Sequence, residues 1–210
     1  MSVRTKDVLF RFDYQSFRKS MLRFDVNLPV PPPEAGLSYP TPRGVLLTPS
    51  GNAGLEIDVS RGILASRGFS PKETLDLFSK IVECVNSDLG LNLTDNAWFF
   101  EIASSCSVRI DSDPLKVLSR RFVLHQDLNA LEETLGQKPQ VNRVRIGPEL
   151  IDPNRPDYYD IDIMLDLFRP KDSLLVEFIY RDPHFEQAKK VATGTEDIIA
   201  NVVSTLTRGP

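Results

Sequence analysis

The stretch from Asp157 to Leu206 constrains the fold most, because it carries two backbone periodicities in succession. Ile161, Ile163, Leu165 and Leu167 alternate with Asp160, Asp162, Met164 and Asp166. That period of two marks a strand with one buried face. Pro170 then falls at the second position of a turn over Arg169-Pro-Lys-Asp172, where its fixed φ is an advantage. The return strand carries Leu174, Val176, Phe178 and Tyr180 on one face and Leu175 and Ile179 on the other. Apolar residues on both faces place it inside a sheet. Asp182-Pro183 predicts a helix start, since the carboxylate accepts from free N–H groups and a first-position proline loses no bond. Phe185, Ala188, Ala192, Ile199, Val202 and Leu206 recur at helical spacing. Gly194 interrupts them at a cost of roughly 1 kcal/mol against alanine, and Thr193-Gly-Thr-Glu196 matches a capping box. Because the stripe keeps its phase across the glycine, the spacing predicts one helix, kinked there.

The remaining chain supplies more short strands and another long helix. Val8, Phe10 and Phe12 predict a first strand, and Leu22, Phe24 and Val26 a second. Six prolines between Pro29 and Pro42 exclude a central strand and suit an ordered extended crossover or a ligand for a proline-binding domain. Strands are expected at 44–48, at Leu55–Val59 and at Ile63–Ala65, with Arg61-Gly62 as a turn. Ser70-Pro-Lys-Glu73 predicts a capped helix with Leu75, Phe78, Val82, Val85 and Leu89 buried. Gly90 should end it. Strand-like runs follow at Trp98–Ile102 and Val108–Ile110, a helix start at Asp113-Pro114, and a short helix over Leu128–Leu135 ending at Gly136. A strand at Arg143–Ile146 follows. The expected fold class is α+β: a mainly antiparallel sheet with two long helices packed on it. Leu55–Leu89 and Ile161–Leu206 share a strand, turn, strand, helix order, which suggests two β-β-α-like pseudo-symmetric halves. Halves that share one sheet predict a single domain over 1–210, with the proline-rich crossover 29–42 inside it.

Composition bounds the function classes. Of 210 residues, 41% are hydrophobic and 26% charged, an ordinary globular balance. A net charge of −4 supplies no global pull toward nucleic acid or anionic membrane. Cys84 and Cys106 make no disulfide framework, so free thiols and a cytoplasmic location are expected. No run approaches the roughly 20 apolar residues of a membrane span.

Asp160 and Asp162 lie two apart on a predicted strand, so their side chains share a face roughly 7 Å apart. Two carboxylates so placed suit Mg²⁺ or Mn²⁺ and a phosphate, with Asp166 as a third candidate. The pair resembles the Asp-x-Asp strand of nucleotidyltransferase-like folds. That resemblance covers these two residues only and lacks the upstream Gly-Ser helix start. Arg143 and Arg145 share a face of their own strand, and cross-strand pairing with the two aspartates accounts for both sets. His125 and His184 have no evident partner for base catalysis. Cys84, Cys106, His125 and His184 fit no zinc spacing. Arg120-Arg121, Arg143, Arg145 and Lys189-Lys190 form a basic set, and Tyr158 and Tyr159 are aromatics able to stack on bases. No catalytic signature singles out a reaction. The expected function is a soluble, non-catalytic binding or regulatory protein without a cofactor. Its partner would be another protein or a second copy, met through the proline-rich segment or an exposed sheet edge. The alternatives are a divalent-metal-dependent enzyme acting on phosphate esters or nucleotides through Asp160 and Asp162, and a nucleic-acid-binding protein.

Overall fold

The computed structural model describes residues 1–5, 13–28, 44–47, 53–58, 61–122, 136, 141–149, 152 and 154–208. The expected strand at Val8–Phe12, the proline-rich segment 29–42, His125 and the helix over Leu128–Leu135 lie outside them. The fold is α+β, and each strand register described is antiparallel. The chain forms two compact units. The first comprises Met1–Ile102, Asn154–Asp157 and Tyr180–Thr193, and the second Ala103–Pro153, Tyr158–Ile179 and Gly194–Pro210.

In the first unit the strands are β1 (Ser2–Thr5), β2 (Gly44–Leu47), β3 (Ala53–Asp58), β4 (Ile63–Gly68) and the start of β5 (Ala97–Arg109). They lie in the order β2-β3-β4-β1-β5. Val3 sits opposite both Leu64 and Phe100, and Ile57 opposite Leu64. That row of apolar residues is the floor of the core. Helix α1 (Tyr14–Met21) starts where the Asp13 carboxylate accepts from Gln15 N at 3.0 Å, and it buries Phe17 and Met21. Helix α2 (Pro71–Ser87) is capped by Ser70, whose hydroxyl accepts from Glu73 N. It buries Phe78, Val82 and Val85 as the spacing predicts, together with Leu77, Ile81 and Cys84, while Leu75 is half-buried and Leu89, also half-buried, lies beyond the helix end. Gly90 adopts φ +61° just beyond its end. The short helix α3 (Leu93–Asn96) leads into β5. Phe78 meets Phe100 edge-on at 6.4 Å, and Phe185 of α5 (Phe185–Thr193) closes the cluster at 5.2 Å from Phe100.

The second unit continues β5 and adds β6 (Arg143–Ile146), β7 (Tyr158–Leu165) and most of β8 (Ser173–Asp182), in the order β5-β8-β7-β6. β8 is therefore an interior strand, as its two apolar faces require. Helices α4 (Pro114–Phe122) and α6 (Thr195–Thr207) pack together, and α4 lies against β6 and β7. The core holds Leu118, Val144, Ile161, Ile163, Leu174, Val176, Phe178, Ile199 and Val203.

Five expectations need correction. Residues 22–24 form a 3-10 turn closing α1 rather than a strand, and Asp25 adopts the left-handed conformation at φ 59° that turns the chain away. The run at Trp98–Ile102 and the start of that at Val108–Ile110 belong to one strand, β5, which ends at Arg109, because the small residues 103–107 alternate between the faces as a strand does. The last helix begins at Phe185, since Asp182 accepts from His184 N and the intervening residues bend. It also divides at Gly194, which caps α6, so the buried set after it is Thr195, Ile199, Val203 and Leu206 in place of Val202. Finally, β7 ends at Leu165, and Leu167 is exposed rather than part of the buried face.

Candidate functional site

The carboxylates of β7 and the arginines of β6 meet on one face of the second unit's sheet. Arg145 stands directly opposite Asp162 and Arg143 opposite Met164. Each guanidinium leans diagonally by two residues, a reach that long side chains manage easily. Arg143 Nε donates to both oxygens of Asp162 at 2.8 Å, and its Nη2 donates to Oδ2. Arg145 donates from Nε to Asp160 Oδ1 at 2.7 Å and from Nη2 to Oδ2 at 2.6 Å. Two-point pairing of this kind is the strong form of a carboxylate–arginine contact. It holds both guanidiniums in the charged form, pushing Arg143 and Arg145 above the ordinary arginine range.

The pairs are layered. Asp160 and Asp162 are only 8% and 5% exposed, while the side chains of Arg143 and Arg145 are 58% and 50% exposed. The arginines thus roof the carboxylates and present cationic edges to solvent. A divalent cation at this pair would have to displace both guanidiniums. Among the described residues, no group of three or more His, Cys, Asp or Glu is arranged to hold a metal ion.

The third aspartate does something different. Asp166 accepts from Ser107 Oγ at 2.6 Å and from Phe168 N at 2.9 Å. These bonds, the serine hydroxyl first, hold its carboxyl below the ordinary value. They also shape the β7–β8 connection into two successive tight turns. Arg169 N donates to Asp166 O at 3.0 Å, and Asp172 N to Arg169 O at 3.4 Å, the turn that Pro170 predicts. The first turn lifts Leu167 and Phe168 clear of the surface, at 82% and 97% exposure. Beside them lies a groove of about 670 Å³ lined by Ser105, Ser107, Asn142, Arg143, Met164 and Leu175, with the turn as one wall. Its size is that of a ligand or side-chain pocket.

Other candidate residues fall elsewhere. Tyr158 is buried, and its hydroxyl accepts from Arg145 at 3.3 Å. Tyr159 is exposed and donates to Gly147 O. The two therefore point to different environments. Lys189 and Lys190 belong to α5 in the first unit, where Lys189 lies over the Phe185 ring. His184 is exposed and shares Asp182 with Tyr180. Cys84 is in the first unit's core, and burial pushes its thiol up to about 11. Cys106 is half-buried, with its thiol raised by burial first and Glu196 second.

Leu167, Phe168 and Ser107 are the site residues that alternation alone does not select. The available signal is the adjacent apolar pair Leu167-Phe168 directly before Arg-Pro-Lys, where strict alternation breaks and a turn begins.

The fold and site define an α+β chain with an arginine-roofed sheet face and an apolar turn standing beside a groove. No protein-family model, curated protein or solved structure matches the chain. Among the described residues, no helix is long and apolar enough to cross a membrane.

Proposed function

We propose that this chain is a non-catalytic binding protein that engages a protein partner through the open sheet face of its second unit. One observation carries the proposal. Leu167 and Phe168 stand out in solvent on a turn braced by Asp166 and Ser107, beside a largely apolar groove. An exposed apolar pair is costly in solubility, and a braced one loses little entropy on docking. The arginine pairing of Asp160 and Asp162 adds support, because those carboxylates already have strong partners.

Native mass spectrometry of gently purified protein, with and without Mn²⁺, tests the proposal. The expected result is no stoichiometric metal adduct and a defined complex with another chain. A one-to-one Mn²⁺ adduct that disappears in Asp160→Asn/Asp162→Asn would replace it with the metal-dependent enzyme acting on phosphate esters.

A further inference from the structure

We infer that the groove and the Leu167-Phe168 turn take an acidic, apolar segment of the partner: a peptide that alternates large apolar side chains with carboxylates. The inference rests on the binding proposal and names the chemistry of its partner. The apolar half follows from Met164, Leu175, Leu167 and Phe168 around the groove. The acidic half follows from how charge is layered. The carboxylates of Asp160 and Asp162 lie under their arginines, so an approaching surface meets guanidinium first. Arg143 forms part of the groove wall and directs Nε and Nη2 at Asp162, leaving its outer edge toward solvent. Arg169 and Lys171 are exposed on the double turn, and Arg109 is exposed where it bridges Asp172 at 3.2 Å. Glu177, near Arg143, is an exposed carboxylate on this face. Asp172, whose side chain is 41% exposed beside Arg109, is a second. Arg109, Arg143, Arg145, Arg169 and Lys171 outnumber these two carboxylates, and complementary charge steers and orients a partner.

Two other occupants fit less well. A second copy would bring the same guanidinium layer against itself, a like-charge juxtaposition. An anionic membrane would receive the protruding turn but leave the concave groove beside it unfilled.

The test uses the full chain and two fluorescein-labelled peptides: one alternating Leu and Phe with Glu and Asp, the other with Lys at each acidic position. Affinity is read by anisotropy. The acidic peptide should bind, more weakly as salt rises, and the basic one at least about tenfold less tightly, a difference of about 1.4 kcal/mol. Leu167→Ser/Phe168→Ser should reduce acidic-peptide binding by at least about tenfold, and Arg169→Glu/Lys171→Glu should weaken it and flatten the salt dependence. All four positions are exposed, and circular dichroism confirms that the variants fold. Equal affinity for the two peptides, no binding of the acidic one, or indifference to both variants overturns the inference. So does turn-dependent cosedimentation with phosphatidylserine vesicles, or a turn-dependent dimer in sedimentation velocity. If the acidic peptide fails while native mass spectrometry still finds a protein complex, the inference falls and the binding proposal stands. A Mn²⁺ adduct at Asp160 and Asp162 removes the proposal whatever the peptides do.

Discussion

Gly62 shows how a single backbone position can hold two strands together. It adopts φ +62°, and a Cβ there would come within 2.8 Å of Thr5 O. The same turn accepts from Thr5 N at 2.8 Å through the Gly62 carbonyl. Glycine meets both demands because it tolerates the left-handed region and has no side chain. Gly62→Ala should therefore destabilise the chain by about 1–3 kcal/mol. A urea midpoint that moves down with an unchanged slope would confirm a local strain. An unaltered midpoint would mean that β1 shifts away at little cost.

At the scale of the element, the β7–β8 hairpin depends on one carboxylate. Asp166 accepts bonds from Ser107 Oγ and Phe168 N, and its folded pKa lies below the ordinary 3.8. The bonds favour the charged form, so their contribution is full above 3.8 and disappears as pH falls through the lowered folded value. Ser107→Ala removes the bond that lowers it most. The variant should be less stable than the parent at neutral pH, with the gap closing in acid, where Asp166 is protonated in both. Denaturant midpoints across that pH range check it, and a gap that stays constant would show that the serine acts through packing instead. The groove wall depends on the same bonds, so the variant should also show faster amide exchange at Phe168, whose N–H donates to Asp166.

At the scale of the whole molecule, acidic and basic residues nearly balance. The net charge is −4 at pH 7 with a sequence pI near 5.3. Solubility should pass through a minimum near that pI. A profile with no minimum there would show that other surface features dominate association. Much of the architecture was legible in the residues. Ser70-Pro71 with Glu73 identified α2 because capping is a local interaction. The interior position of β8 followed from apolar residues on both its faces. The Arg143/Arg145 and Asp160/Asp162 match followed from shared strand faces, although the diagonal pairing depends on a register only the folded sheet reveals. What stayed hidden was tertiary. At Gly194 the helical stripe keeps its phase, yet the chain divides there into two helices with different surroundings. At Leu167 the alternation continues by one residue past the point where Asp166 captures Phe168 N and ends the strand. A hydrogen bond that redirects the backbone leaves no trace in a hydrophobicity pattern.

The same double turn separates exposure from digestibility. Phe168 is almost fully solvent-exposed and is followed by Arg169-Pro170, so it looks like an obvious place for an endoprotease to cut. Proteases, however, bind several consecutive residues in an extended conformation. Here Phe168, Arg169, Asp172 and Ser173 all donate backbone N–H groups back into the turn. A nick at the tip would require the turn to unravel first, a local opening with its own free energy. The most conspicuous side chain on this surface should thus sit on one of the chain's more durable loops, able to stay uncut despite its exposure.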